Sequence, residues 1–194
     1  MENDDRGTPF AAAYEAYDRG AMLFHWAIAA LVLFNVVVGI THEALPRPLM
    51  GLLMGWHKAV GITILVLSVG RLVWRLTHRP PPLPAMPGWQ VGVAHALHWL
   101  FYALIIAMPL SGWWMSSAGE KRRPISYFDL FDVPFLPVTR GAEGVGGAFH
   151  QFHVVFGWVL VPLIILHVSA ALWHHFRLRD TVLARILPCA EPRA

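Results

Sequence analysis

The chain has 194 residues, of which 56% are apolar and only 14% charged, with a formal net charge of +3. Too few charges remain to clothe a water-facing surface, which excludes an ordinary soluble domain and makes membrane lipid the expected surroundings. The slight basic excess comes without an aromatic-plus-basic RNA module or a Cys/His finger, excluding nucleic acid, and the single cysteine, Cys189, excludes an internal disulfide framework and a four-thiolate metal site.

Residues 1–18 hold three Asp and two Glu against a single Arg, so they lack the basic start of a secretory leader and read as a cytoplasmic tail. A helix needs about 20 mostly apolar residues to cross the hydrocarbon core, and four stretches qualify. The first, 20–41, carries His25 and reads as an uncleaved anchor. A joint containing Pro46 and Pro48 leads to the second, 49–75, with His57, Lys58 and Arg71. The run Arg79, Pro80, Pro81, Pro82 and Pro84 cannot continue a helix and separates it from the third, 91–115, with His95 and His98. Segment 116–146 includes an aromatic stretch, 127–137, too apolar for a solvated linker and too short to span. It is expected at the outer interface, as a packed cap or as a substrate-guiding element. The fourth span, 147–176, carries His153, His167 and His174, and residues 188–194 form a second cytoplasmic tail. The expected fold is therefore all-α, a four-helix integral membrane bundle over residues 19–187.

Alternating crossings place Arg19, Arg71, Arg75, Arg79, Arg177, Arg179 and Arg185 on one side, which the positive-inside rule makes the cytoplasm, with both termini inside. The opposite side keeps Arg47, Lys58, Lys121, Arg122, Arg123 and Arg140. The loop cations and Lys58 can raise the local concentration of an anion, or contact lipid headgroups.

Eleven histidines are anomalous in so apolar a chain, because ionisable groups inside a membrane are costly and usually functional. His153 and His167 are fourteen residues apart, about 21 Å of rise and nearly four whole turns, so both face one side at two depths. Threading the crossings puts His25 level with His167 and His57 level with His153. Two cross-helix pairs at two depths are what two bis-histidine haems require, one imidazole on either face of each porphyrin. Zinc would want three or four ligands converging on one point, which separated pairs do not supply. Glycines follow His57 and His153 by four residues, at Gly61 and Gly157, where a missing side chain leaves room for a macrocycle edge or for close helix packing; Gly39 lies fourteen residues from His25, and Gly70 and Arg71 occupy the matching level on the second span. Lys58 and Arg71 are intramembrane cations for which haem propionates are natural counter-charges, with simple snorkelling the other reading of Arg71. His95 and His98 read either as propionate partners or as interhelical contacts, His42 and His78 as interfacial, and His150 as a substitute for His153. His174, with His175, Arg177 and Asp180, reads as a quinone and proton site or as an interface cluster.

Phe24-His25-Trp26, His57-Lys58, Arg71-Leu72-Val73-Trp74-Arg75, Pro109-Leu110-Ser111-Gly112-Trp113 and His167 leading into Ala170-Ala171-Leu172-Trp173-His174-His175 together resemble the bacterial cytochrome b561 family. The resemblance covers about residues 19–188. It implies a bacterial inner-membrane protein with two haem b groups, the cytoplasmic iron held axially by His25 and His167 and the periplasmic iron by His57 and His153. It also implies that stand-alone members oxidise superoxide to oxygen at the periplasmic face and reduce ubiquinone. An electron-transfer subunit that anchors a hydrogenase or dehydrogenase and draws on a redox protein is the alternative, and an intramembrane-histidine transporter a third. The 116–146 segment departs most from the family's pattern.

Overall fold

The computed structural model describes residues 15–82, 84–119, 124–139 and 143–187. Four long helices dominate it: α1 (Arg19–Thr41), α2 (Arg47–Thr77), α3 (Gly88–Ala118) and α4 (Glu143–Trp173), the last running on through a π-helical turn at His174–Leu178. All four are long and apolar enough to cross a bilayer. At 31 residues, α2, α3 and α4 each rise about 46 Å, more than the roughly 30 Å hydrocarbon thickness, so their ends stand in the headgroup region.

Helix starts follow local chemistry. Asp18 caps α1, its carboxylate accepting the Ala21 N–H at 2.9 Å. At α2 a proline occupies the first turn, where no N–H is needed. Pro109 and Pro162 lie inside α3 and α4, which membrane helices tolerate when neighbours satisfy the freed carbonyls.

Sequence neighbours pack side by side, α1 on α2, α2 on α3 and α3 on α4, whereas α1 and α4 meet sparsely. The buried side chains are few, among them Met22, Ile28 and Val38 of α1, Ala59, Val60 and Ile64 of α2, and Leu104 and Ile105 of α3. Much of the remaining apolar surface, such as Leu33, Val66, Trp158 and Ile165, faces outward, as lipid contact requires. At the end where α1 begins, the first and last described segments are laced together: Trp26 Nε1 donates to the Ile186 carbonyl at 2.8 Å, and the buried Arg185 donates through Nε to the Glu15 carbonyl at 2.7 Å. Trp74 joins them through its indole N–H on Asp18 at 3.0 Å. That indole lies where a side chain on Gly20 would sit, so only glycine fits there.

The aromatic segment between α3 and α4 is a hairpin, β1 (Ile125–Tyr127) antiparallel to β2 (Phe131–Val133). It buries Ile125 and Val133, and the Tyr127 hydroxyl meets the Thr63 hydroxyl of α2 at 3.1 Å. Thr63 is six residues beyond His57, about 9 Å of rise, so the hairpin lies along α2 rather than only across its end. Trp113 Nε1 donates to the Pro134 carbonyl at 3.0 Å and fastens the other strand to α3. Lys121, Arg122, Arg123 and Arg140 lie outside the described residues.

Candidate functional site

The bundle brings the four spacing-selected histidines together in two pairs. His57 of α2 faces His153 of α4 with ring centroids 6.1 Å apart and planes at 70°. His25 of α1 faces His167 of α4 at 6.3 Å and 60°. Two imidazoles on opposite sides of one ion, each bound at about 2.0–2.1 Å, place their centres roughly 6 Å apart. Among the described residues no group of three or more His, Cys, Asp or Glu is placed to hold a metal by protein donors alone. Each pair brings two imidazoles to the separation that one group held between two histidines needs. All four rings are half-buried, so each keeps an open side.

Ring nitrogens of the upper pair are already oriented. His57 Nδ1 donates to the Asn35 carbonyl of α1 at 3.2 Å, and Asn35 returns a hydrogen bond through Nδ2 to the His57 carbonyl at 3.0 Å. His153 Nδ1 donates to the Met108 carbonyl of α3 at 3.1 Å and to Ser111 Oγ at 2.8 Å. Ser111 Oγ itself donates to the Met108 carbonyl at 2.7 Å, which leaves its lone pairs for the imidazole. A histidine with its proton held on Nδ1 presents the Nε2 lone pair, a tautomer that can ligate a metal.

The lower pair has different neighbours. Arg71 Nη2 is 3.4 Å from His25 Nδ1, and its guanidinium stands over the Tyr102 ring at 5.4 Å. His167 is flanked by the rings of His98, at 6.1 Å, and Phe101, at 5.3 Å. Sequence reasoning placed His98 only near this end; its approach to His167 as close as that of His25 follows from α3 repeating the fourteen-residue register, His98 to Gly112, that the other helices show.

The glycines divide between helix contacts and the imidazole rings. Gly61 faces Asn35 and Pro109, and Gly157 faces the Met108 side chain, so both are helix-contact positions. The glycines against the rings sit on neighbouring helices: a Cβ on Gly39 would be 3.7 Å from His57 Cε1, and one on Gly112 would be 3.3 Å from His153 Cε1. Gly70 receives the Phe24 ring.

Of the other singled-out residues, Lys58 is exposed one position beyond His57, and His150 is exposed while His153 makes the pair. His42 bonds the Gly39 carbonyl in a 3₁₀ turn, and His78 stacks flat on Trp74 at 4.0 Å. His174 Nδ1 pairs with the Asp180 carboxylate, whose other oxygen caps the Val182 N–H at 3.0 Å. At the same end a cavity of about 340 Å³ is lined by Tyr17, Arg75, Pro81, Val91, His95 and His98.

The family model described as prokaryotic cytochrome b561 matches residues 16–188. The chain is 33% identical over 187 residues to Cytochrome b561 homolog 2 of Escherichia coli (strain K12), covering 92% of this chain and 94% of that protein. It is 29% identical over 165 residues to "Probable superoxide oxidase CybB" of Yersinia pestis, covering 84% and 91%. It is 28% identical over 177 residues to Cytochrome b562 of Cereibacter sphaeroides, covering 88% and 94%.

Proposed function

The chain belongs to the prokaryotic cytochrome b561 family, and on that footing we propose that it carries electrons from superoxide, at the periplasmic face, to ubiquinone through two haem b groups. Membership makes it a bacterial membrane electron-transfer protein that uses haem b. The observation that carries the two-haem part of this reading is the pair of matched histidine separations, 6.1 Å for His57 with His153 and 6.3 Å for His25 with His167. The name of the Yersinia pestis relative supports the choice of donor.

When bound, the haems supply one-electron relays without an open iron position. Two superoxide anions give up one electron each and leave as oxygen; the quinone takes both electrons and two protons and leaves as quinol. His57 and His153 hold their Nδ1 protons on carbonyls and offer Nε2. Arg71 can only donate, so while it faces His25 Nδ1 that ring carries its proton on Nε2; His25 would offer Nε2 to a haem once its proton resides on Nδ1, with Arg71 the cation available to a propionate. Lys58, exposed beside His57, concentrates the anionic donor at the periplasmic end. The cavity beside His98 takes the quinone head, with Arg75 and His95 as hydrogen-bond donors to its carbonyls and Pro81 and Val91 against the ring face. The His174–Asp180 pair serves as a proton relay at that end. Both chain ends lie in the cytoplasm in this reading.

A pulse of superoxide on the oxidised, haem-loaded protein tests it. Rapid appearance of the reduced haem bands, followed by reoxidation when ubiquinone is added, is expected. Haems that stay oxidised under the pulse and reduce only with a soluble redox partner would leave an electron-transfer subunit for a hydrogenase or dehydrogenase.

A further inference from the structure

All four helices contribute twice, fourteen residues apart, and the two levels are unlike. The lower level gathers His25, Arg71, His98 and His167; the upper gathers Gly39, His57, Gly112 and His153. The two upper histidines are seated in the same way on different helices. His57 rests on the Asn35 carbonyl with Gly39 four residues on, and His153 rests on the Met108 carbonyl with Gly112 four residues on.

That coincidence has a physical basis. A helical carbonyl keeps a second lone pair after accepting from the amide four residues later, free for His57 at Asn35 and shared between His153 and the Ser111 hydroxyl at Met108. A helical side chain covers the turn N-terminal to its own Cα, so a residue at that fourth position overhangs the carbonyl. Glycine removes the overhang and lets a ring from the neighbouring helix reach it. Ser111 Oγ reinforces the second seat at 2.8 Å from His153 Nδ1. At the lower level His25 Nδ1 faces a guanidinium, and His167 is bordered by rings, with no such carbonyl partner for either among the described residues.

An N–H held on a carbonyl makes an imidazole a stronger donor to its metal and favours the oxidised state, whereas a neighbouring cation favours the reduced one. We infer that the two haem sites are unequal by construction: the carbonyl–glycine seats Asn35–Gly39 and Met108–Gly112, with Ser111, set the upper site at the lower reduction potential, so electrons fall from His57/His153 toward His25/His167. The inference rests on the two-haem reading. It makes Asn35, Met108 and Ser111 positioning residues that act through the histidines.

The test is a potentiometric titration of the full-length, haem-loaded protein, followed by its visible absorption. Two waves are expected, and His57→Ala should keep only the high-potential one. Ser111→Ala should retain both haems and raise only the low-potential wave, by on the order of 59 mV for a tenfold change in a one-electron equilibrium. Ser111→Thr should restore it. Arg71→Gln, which leaves the upper seats intact, should lower only the high-potential wave. Coincident waves, survival of the low-potential wave in His57→Ala, or an unmoved low-potential wave in a Ser111→Ala protein that still holds both haems would overturn the inference while leaving the two-haem reading in place. A protein purified without haem would overturn both.

Discussion

At the scale of single residues, the histidine pairs are set by arithmetic and their seats by rotation. Fourteen residues bring a helix back almost to the same face about 21 Å on, so spacing alone assigns His153 and His167 to two depths. The backbone carbonyls that hold His57 and His153 leave no such mark, because any residue type supplies a carbonyl. What makes Asn35 and Met108 reachable is the glycine four positions later on the same helix, not the glycine four positions after the histidine. Applying the register to α3 as well would have linked His98 to Gly112 and flagged both levels. The distinction is measurable. Gly112→Ala sets a methyl 3.3 Å from His153 Cε1, tighter than ordinary contact, and should displace the ring and perturb or lose the upper haem alone. Gly157→Ala meets only the flexible end of Met108 at 3.7 Å and should keep both haem spectra, with a gain of about 0.5–1 kcal/mol in helix stability. Haem spectra and detergent-unfolding curves of the two variants check this.

At the scale of elements, the four helices were legible to within a few residues because apolar length and proline-rich joints are strong signals. The π-helical turn at His174–Leu178 was not, since a single widened turn has no sequence signature; it is closed by Arg179 at φ 53° and by the Asp180 contacts to His174 and Val182. Nor was the hairpin. Its turn places Phe128 and Asp129 at φ 51° and 59°, the left-handed region where Asn and Gly are the usual residues, so the sequence offers no Asn-Gly or Asp-Gly cue. The element holds because its ends are secured elsewhere, through Tyr127 on Thr63 and Trp113 on Pro134. A bulky residue in the left-handed region costs about 1–2 kcal/mol. Phe128→Asn should therefore stabilise the hairpin by about 1 kcal/mol, with haem content unchanged; slower proteolysis of the α3–α4 connection is the readout, and faster cleavage would contradict it.

At the scale of the whole molecule, the bundle is held less by a dense interior than by sequential helix contacts and by the lacing of Trp26, Trp74 and Arg185 at one end. Few span residues are buried, and the sparse seam between α1 and α4 is where His25 meets His167. A cofactor in that seam would join two helices that touch sparsely. Composition alone announced a membrane protein, and the paired histidines pointed to a cofactor; the α3–α4 segment was legible as an apolar interface element but not as a hairpin, because its shape rests on contacts with α2 and α3.

The most direct measurement of the central claim is haem per polypeptide, determined on the purified protein and on His57→Ala and His167→Ala variants. Two haems in the parent and one in each variant, with complementary spectra in the two variants, are expected. A single haem in the parent, or two retained in either variant, would contradict the account.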